Sequence, residues 1–281
     1  MSTSLLADFH ETVPPSDKPE FVDQLLRIIN QYNVDTYMPV LDSEILLAAK
    51  LREAGTIPKS VSVLAPTSYA AEICLDKYMA SQWMVIHGIP SPPTWLASEE
   101  KVDLPDRLYI KKRCGVGSKG NRIGTIEDIK KLPVEERPEW LIQKVCDQPE
   151  VTVDTYFDPI RSVGRVVCRE RIETKSGVCT KARVFYDQTI ADLAFNLAKK
   201  LGISGTFCFQ LMRHCNEWVV TDINPRPGAG TAMSVAVGMD FFAAYFEYIW
   251  GNDGIRYLPG FFDEVYVTRQ YTEFVMPRRQ K

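Results

Sequence analysis

From Leu108 onward the chain carries three long runs, EVTVDTYFDP, SVGRVVCRERI and VCTKARVFYD, in which apolar and polar residues alternate. A period of two marks strands with one buried face, and three such runs in succession predict a broad antiparallel sheet. GTFCFQLMRH and EWVVTDIN follow as a hairpin around His214–Glu217. The first hundred residues read differently. After a polar, proline-bearing lead-in, PEFVDQLLRIINQYN places Phe21, Leu25, Ile28 and Ile29 on one helical face. A strand (VDTYMPV), a helix (DSEILLAAKLREAG, with Asp42 or Ser43 as N-cap) and another strand (SVSVLAP) succeed it, and TSYAAEICLDKYMASQWMVIHGI holds one or two helices. SPPTWLASEEKVDLPD reads as a linker, and Thr231 to Trp250 as one helix. Alternating helix and strand followed by antiparallel sheet predicts an α/β (α+β) chain.

Bulk properties exclude several classes. The 33 basic residues are outnumbered by 36 acidic ones, whereas a nucleic-acid surface needs a basic surplus to neutralise phosphates. The seven cysteines are scattered with no C-x-x-C pair, and the three histidines lie far apart. That argues against a disulfide scaffold and a zinc site. The most apolar helical stretch, Met239 to Trp250, is too short to span a bilayer and contains Asp240 and Glu247. The N-terminus lacks an apolar signal core. A soluble, cytoplasmic protein with no nucleic-acid or membrane partner is expected.

Four constellations carry chemistry. The stretch VVTDINPRPGAG ends a strand with Asp222 and Asn224 at alternate positions and Arg226 after Pro225. If the preceding turn centres on Asn216, Gln210 lies opposite Asp222, so three oxygen donors share a face. Mg²⁺ favours such donors; a polar sheet edge is the plainer alternative. Second, GVGSKG at 115–120 matches G-x-G-x-x-G but precedes a strand-like NRIGT, so it reads as a flap over phosphates or as an ordinary hairpin. Third, LIQKVCDQPEV runs an apolar strand into a loop whose backbone can meet a purine edge, with Glu150 placed for ribose hydroxyls or simply solvated. Fourth, Arg169, Arg171, Lys181, Arg183 and Arg226 offer cations to polyphosphate, although at least half are expected to be solvated.

The order of these features resembles the ATP-grasp superfamily, closest to the ATP-binding halves of the carbamoyl-phosphate synthase large subunit. The matching residues are Asp76-Lys77, Ile110-Lys111, Gly117-Ser118-Lys119-Gly120, Leu141-Ile142-Gln143, Glu150, Gln210 and Asp222-Ile223-Asn224-Pro225-Arg226. The resemblance implies a truncated Rossmann-like N-terminal unit (1–95) and an ATP-grasp domain (96–281). The latter would comprise a lid subdomain at about 105–145 and an antiparallel core at about 146–281. It implies that Lys77 and Lys111 contact ATP phosphates, with Gly115, Gly117, Ser118 and Gly120 in the closing loop. Gln143, Lys144 and Val145 would line the adenine hinge, and Glu150 would hold ribose. Gln210, Asp222 and Asn224 would bind Mg²⁺ or Mn²⁺, and Arg226, Lys181 and Arg171 would form the catalytic set.

Three departures qualify the match. Lys144 stands where glutamate is common in the hinge. Asp222 replaces a usual glutamate, one methylene longer, which predicts looser or monodentate coordination. The match starts midway through the N-terminal unit, so the resemblance implies that its first strand–helix–strand is absent and its sheet edge needs covering; a partner subunit, a homodimer contact or a mis-called gene start would each account for this. The implied activity is ATP-dependent ligation of a small-molecule carboxylate to an amine or other nucleophile through an acylphosphate. A non-catalytic or partner-completed ATP-binding subunit is the competing expectation.

Overall fold

The computed structural model describes residues 7–99, 104–115, 120–175, 177–260 and 263–270. In chain order the elements are α1 (Glu20–Gln31), β1 (Thr36–Tyr37), α2 (Asp42–Glu53), β2 (Ser62–Val63), α3 (Ser68–Leu75) and α4 (Lys77–Ile86). Then come β3 (Thr94–Leu96), β4 (Leu108–Lys112), β5 (Arg122–Gly124), α5 (Ile126–Lys130) and β6 (Trp140–Lys144). The remainder is β7 (Asp147–Asp158), β8 (Val163–Lys175), β9 (Val178–Phe185), α6 (Gln188–Leu201), β10 (Gly205–His214), β11 (Glu217–Asn224), α7 (Thr231–Ala236), α8 (Phe241–Ile249) and β12 (Val265–Thr268).

Three sheets result. β1 and β2 pair in parallel, β3-β6-β4-β5 form a four-stranded antiparallel sheet, and β11-β10-β7-β8-β9-β12 form a six-stranded antiparallel one. The alternation in the sequence sorts the large sheet into two faces. Val151, Val153, Val166, Cys168, Phe207, Phe209 and Leu211 pack against α6 and α4 in the main core. Each large apolar side chain so buried contributes about 1.5–3 kcal/mol. On the other face, Tyr156, Val167, Ala182 and Val184 meet Met233, Phe241 and Ala244 of the α7–α8 segment. The rest of that second face is polar and lies open to the small sheet. The N-terminal helices bury Phe21, Leu25 and Ile29, at i, i+4 and i+8, against Ile45, Ala48 and Ala49.

Several local expectations change. The stretch expected to be a linker contains β3, which pairs with β6 through Thr94↔Gln143. The single helix expected at 231–250 is two, because Gly238 turns the chain with φ +87° and the Asp240 carboxylate then caps α8 at the Ala243 N–H. Asp42 is the first residue of α2 rather than its cap. Glu44 reaches back to the Val40 N–H at 3.3 Å instead, leaving the Asp42 side chain free for another partner. The β10–β11 turn is the two-residue Cys215-Asn216, both with positive φ, not one centred on Asn216. Among the described residues, no helix is long and apolar enough to cross a membrane.

Candidate active site

A cleft of ≈670 Å³ lies between the two antiparallel sheets, within the usual size for a small-molecule site. Its floor is the polar part of the large sheet: Glu150 and Thr152 of β7, Arg169 and Arg171 of β8, Gln210 and Met212 of β10, Asp222 and Asn224 of β11. Its roof is Tyr109 and Lys111 of β4, Asn121, Ile123 of β5 and Gln143 of β6. Lys144, Val145 and Cys146, the connection from β6 to β7, close one side. Five basic residues (Lys111, Lys144, Arg169, Arg171, Arg226) and two acidic ones (Glu150, Asp222) line it. The cleft is therefore positive in a chain whose net charge is −3, which suits a polyanionic ligand.

The hairpin delivers the expected group. Gln210 stands opposite Asp222, and Asn224 lies two residues on along the same face. That register arises from two features together. The tight turn pairs His214 with Glu217, which by itself would bring Gln210 to Thr221; a β-bulge at Thr221 then moves the partner to Asp222. The bulge leaves the Thr221 carbonyl to accept from Lys111 Nζ at 3.0 Å. Lys111 is 5% exposed, and burial, outweighing the pull of Asp222, pushes its pKa down to about 8.

Asp222 is held from two sides. Lys77 Nζ donates to its Oδ1 at 2.7 Å, and Asn224 Nδ2 approaches Oδ2 at 3.4 Å. Burial favours the neutral acid, but Lys77 and Lys111 overcome it and keep the carboxyl below its ordinary pKa. Lys77 is positioned by its place at the start of α4, where Asp76 caps the Tyr78 and Met79 amides and takes Arg113 Nε at 2.8 Å. Among the described residues no three His, Cys, Asp or Glu side chains cluster as a metal cage. One carboxylate with two amides fits a Mg²⁺ ion that brings phosphate and water ligands of its own.

Other expected residues are placed as follows. Gln143 is buried and donates to Thr94 Oγ1 at 2.8 Å. The Lys144 N–H is taken by the Pro93 carbonyl, so its share in a purine contact narrows to the carbonyl oxygen. Glu150 lines the cleft but is ion-paired with Arg171, whose other amino group donates to the Gly177 carbonyl at 2.9 Å. Gly115 and Gly120 flank a segment, with Gly117 and Ser118, that lies outside the described residues. Lys181 is not brought to the cleft. Ala182 and Val184, opposite Arg171 and Arg169, are buried, so alternation turns Lys181 outward to a half-exposed pair with Glu173. Arg169 is a structural group: Asp154 binds it at 2.7 and 3.1 Å and also accepts from Thr231 and Ser234. Gly230 must lack a side chain because a Cβ there would overlap the Arg169 guanidinium.

Sequence reasoning missed Asp42. Its Oδ1 accepts from Arg226 Nε at 2.9 Å, joining the first turn of α2 to the end of the β11 strand 184 residues away. It also missed the Thr221 carbonyl, for which a signal existed. Trp218, Val220 and Ile223 all pack against the main core, a spacing that strict alternation forbids and a bulge after Val220 restores.

The sequence profile of the ATP-grasp domain family matches residues 74–230, more than half of the chain. A search of curated proteins found no match. Among solved structures, the β,γ-ATP complex of biotin carboxylase from Campylobacter jejuni superposes with a TM-score of 0.68 at 16% identity, covering 84% of this chain and 59% of that one. N5-carboxyaminoimidazole synthetase from Staphylococcus aureus, complexed with ADP, gives 0.69 at 16% identity over 88% and 66%. L-amino acid ligase from Bacillus licheniformis gives 0.66 at 16% over 87% and 66%. At these identities the likeness is one of fold, and the chain spans less than two thirds of each.

Proposed function

Because the chain belongs to the ATP-grasp domain family, we propose that it is an ATP- and Mg²⁺-dependent (or Mn²⁺-dependent) ligase that joins a carboxylate to an amine or related nucleophile. The observation that carries this reading is the convergence of Lys111, Lys77, Asp222, Asn224 and Gln210 on one positive cleft bounded by the 143–146 connection. In this reading the Lys144 carbonyl and Val145 border the base, Glu150 accepts from ribose hydroxyls, and Lys111 and Lys77 hold phosphate oxygens. Arg171, through its pair with Glu150, shapes the same wall. Gln210, Asp222 and Asn224 would hold the metal, which would supply positive charge against the phosphates.

Arg226 faces the transferred phosphoryl group or the substrate carboxylate. A carboxylate oxygen attacks the γ-phosphorus, the bond to the β,γ-bridging oxygen breaks, and ADP leaves. The resulting acylphosphate is captured by the nucleophile with release of phosphate, the reaction logic of the carbamoyl-phosphate synthase-like halves. The protein contributes positioning and fixed charge rather than a nucleophile of its own. We propose a cytoplasmic location and a homodimer or partner contact over the short β1–β2 sheet.

Calorimetric titration of ATP with and without Mg²⁺, followed by a carboxylate and amine screen for ADP release in hydroxylamine, tests the proposal. Mg²⁺-dependent nucleotide binding and a hydroxamate product are expected. Absence of nucleotide binding would sink the reading.

A further inference from the structure

Two of the cations that a polyanion would recruit are already paired inside the protein. Lys77 is held by Asp222 at 2.7 Å, with both side chains about one-fifth exposed. Arg226 is held by Asp42 at 2.9 Å, again about one-fifth exposed on each side. Opening such a pair for a ligand leaves a partly buried charge without its counter-ion unless the ligand supplies one, and an uncompensated buried charge is costly. MgATP meets that condition at the first pair, bringing phosphate for Lys77 and a cation for Asp222. A ligand that takes Arg226 through a carboxylate alone does not meet it at the second, because Asp42 is left facing a new anion.

Resting on the ligase reading above, we propose that Asp42 is a specificity-determining residue and that the second substrate is a zwitterionic α-amino acid, its carboxylate on Arg226 and its ammonium on Asp42. Three observations support the placement. Arg226 lines the cleft at the end of the strand that carries Asp222. Asp42 lies near enough to Lys77 to favour its charged form, so it sits at the phosphate end. Asp42 is the first residue inside its helix and its carboxylate makes no capping bond, the Val40 and Leu41 amides being taken by Glu44. The charge count selects against plain monocarboxylates and bicarbonate, which would be repelled by Asp42, and against simple amines, which Arg226 would repel.

The test is binding to the full chain saturated with a non-hydrolysable MgATP analogue. Calorimetry would compare each amino acid with the same carboxylic acid lacking its amino group, for example alanine with propionate and phenylalanine with 3-phenylpropionate, in wild type, Asp42→Asn and Asp42→Glu. At least one amino acid should bind wild type about tenfold or more tighter than its des-amino partner. That ratio should collapse towards one in Asp42→Asn and recover in part in Asp42→Glu. The wild-type comparison stands even if a variant does not fold. A result in which every des-amino acid binds wild type as well as its amino acid overturns the proposal. So does failure of every amino acid on a protein that binds the MgATP analogue, or an unchanged ratio in Asp42→Asn. If the MgATP analogue itself does not bind, the ligase reading falls, and that outcome is distinct from the others.

Discussion

Two aspartate–cation pairs stand on the same side of the large sheet and do opposite work. Asp154 and Arg169 are both essentially unexposed, joined by two hydrogen bonds, with Thr231 and Ser234 using the remaining capacity of the carboxylate. Asp222 and Lys77 are joined by one bond, and each keeps about a fifth of its side chain in contact with solvent. Both pairs join a carboxylate to a cation, the planar Arg169 fork giving two bonds and the Lys77 ammonium one. What separates them is how completely each carboxylate is satisfied and whether water, or a ligand replacing it, can reach the pair. The closed pair fixes the α7 segment to the sheet, and the open one is available for exchange.

Alanine substitution should separate the two pairs most widely. Asp154→Ala strands the Arg169 charge and two hydroxyls, and a loss of about 3–5 kcal/mol in urea unfolding is expected. Asp222→Ala strands the partly exposed Lys77 and should cost less, about 1–2 kcal/mol by the same measurement. It should instead weaken MgATP by about a hundredfold, ~2.7 kcal/mol, while leaving Mg²⁺-free ATP binding largely intact. If both variants lose stability equally, the distinction between closed and open pairs fails.

A third cation sharpens the contrast because it has no carboxylate of its own. Lys111 is buried and bonded to a carbonyl, with a pKa near 8 against an ordinary 10.5. Below pH 8 it is charged in both folded and unfolded chains, and the full burial penalty applies. As the pH climbs from about 8 to 10.5 the folded protein sheds this proton first and the penalty is relieved. Lys111→Met should therefore be more stable than wild type by about 1–3 kcal/mol at pH 7, and pH-dependent melting should show that advantage shrinking through this window. Phosphate near Lys111 favours its charged form, so MgATP binding at pH 8 should take up protons. Calorimetric heats that vary with the ionisation enthalpy of the buffer would reveal this uptake. The smallest effect belongs to Lys181→Ala, at a half-exposed pair: within about 0.5 kcal/mol and no change in nucleotide affinity. A measurable loss of binding there would return Lys181 to the site.

How much of this was legible in the sequence depended on whether the information was local. The antiparallel sheet, its buried face and the grouping of Gln210, Asp222 and Asn224 followed from alternation and one hairpin. Yet that pairing rests on a turn centred on Asn216, half a residue past the true centre, an offset that cancels the bulge at Thr221. Lys181 was misassigned because alternation says which residues share a face and not which face is turned to the cleft; the burial of Ala182 and Val184 decides that. The stretch 91–106 looked like a linker because a three-residue strand is too short to show a period. Asp42 was invisible as a site residue, since nothing local to an acid at a helix start points to an arginine 184 positions away.

The bulge at Thr221 bears on how the site would be preserved or lost. The acceptor for Lys111 is a main-chain oxygen, so replacing one side chain by another at position 221 leaves it present. What removes it is a change of count. One residue fewer between them would let Gln210 and Asp222 pair across the same two-residue turn without a bulge, restoring a regular ladder and withdrawing the carbonyl. The lysine anchor is thus encoded in the number of residues between Gln210 and Asp222 rather than in their identities, and insertions and deletions, not substitutions, are the changes to which it is vulnerable.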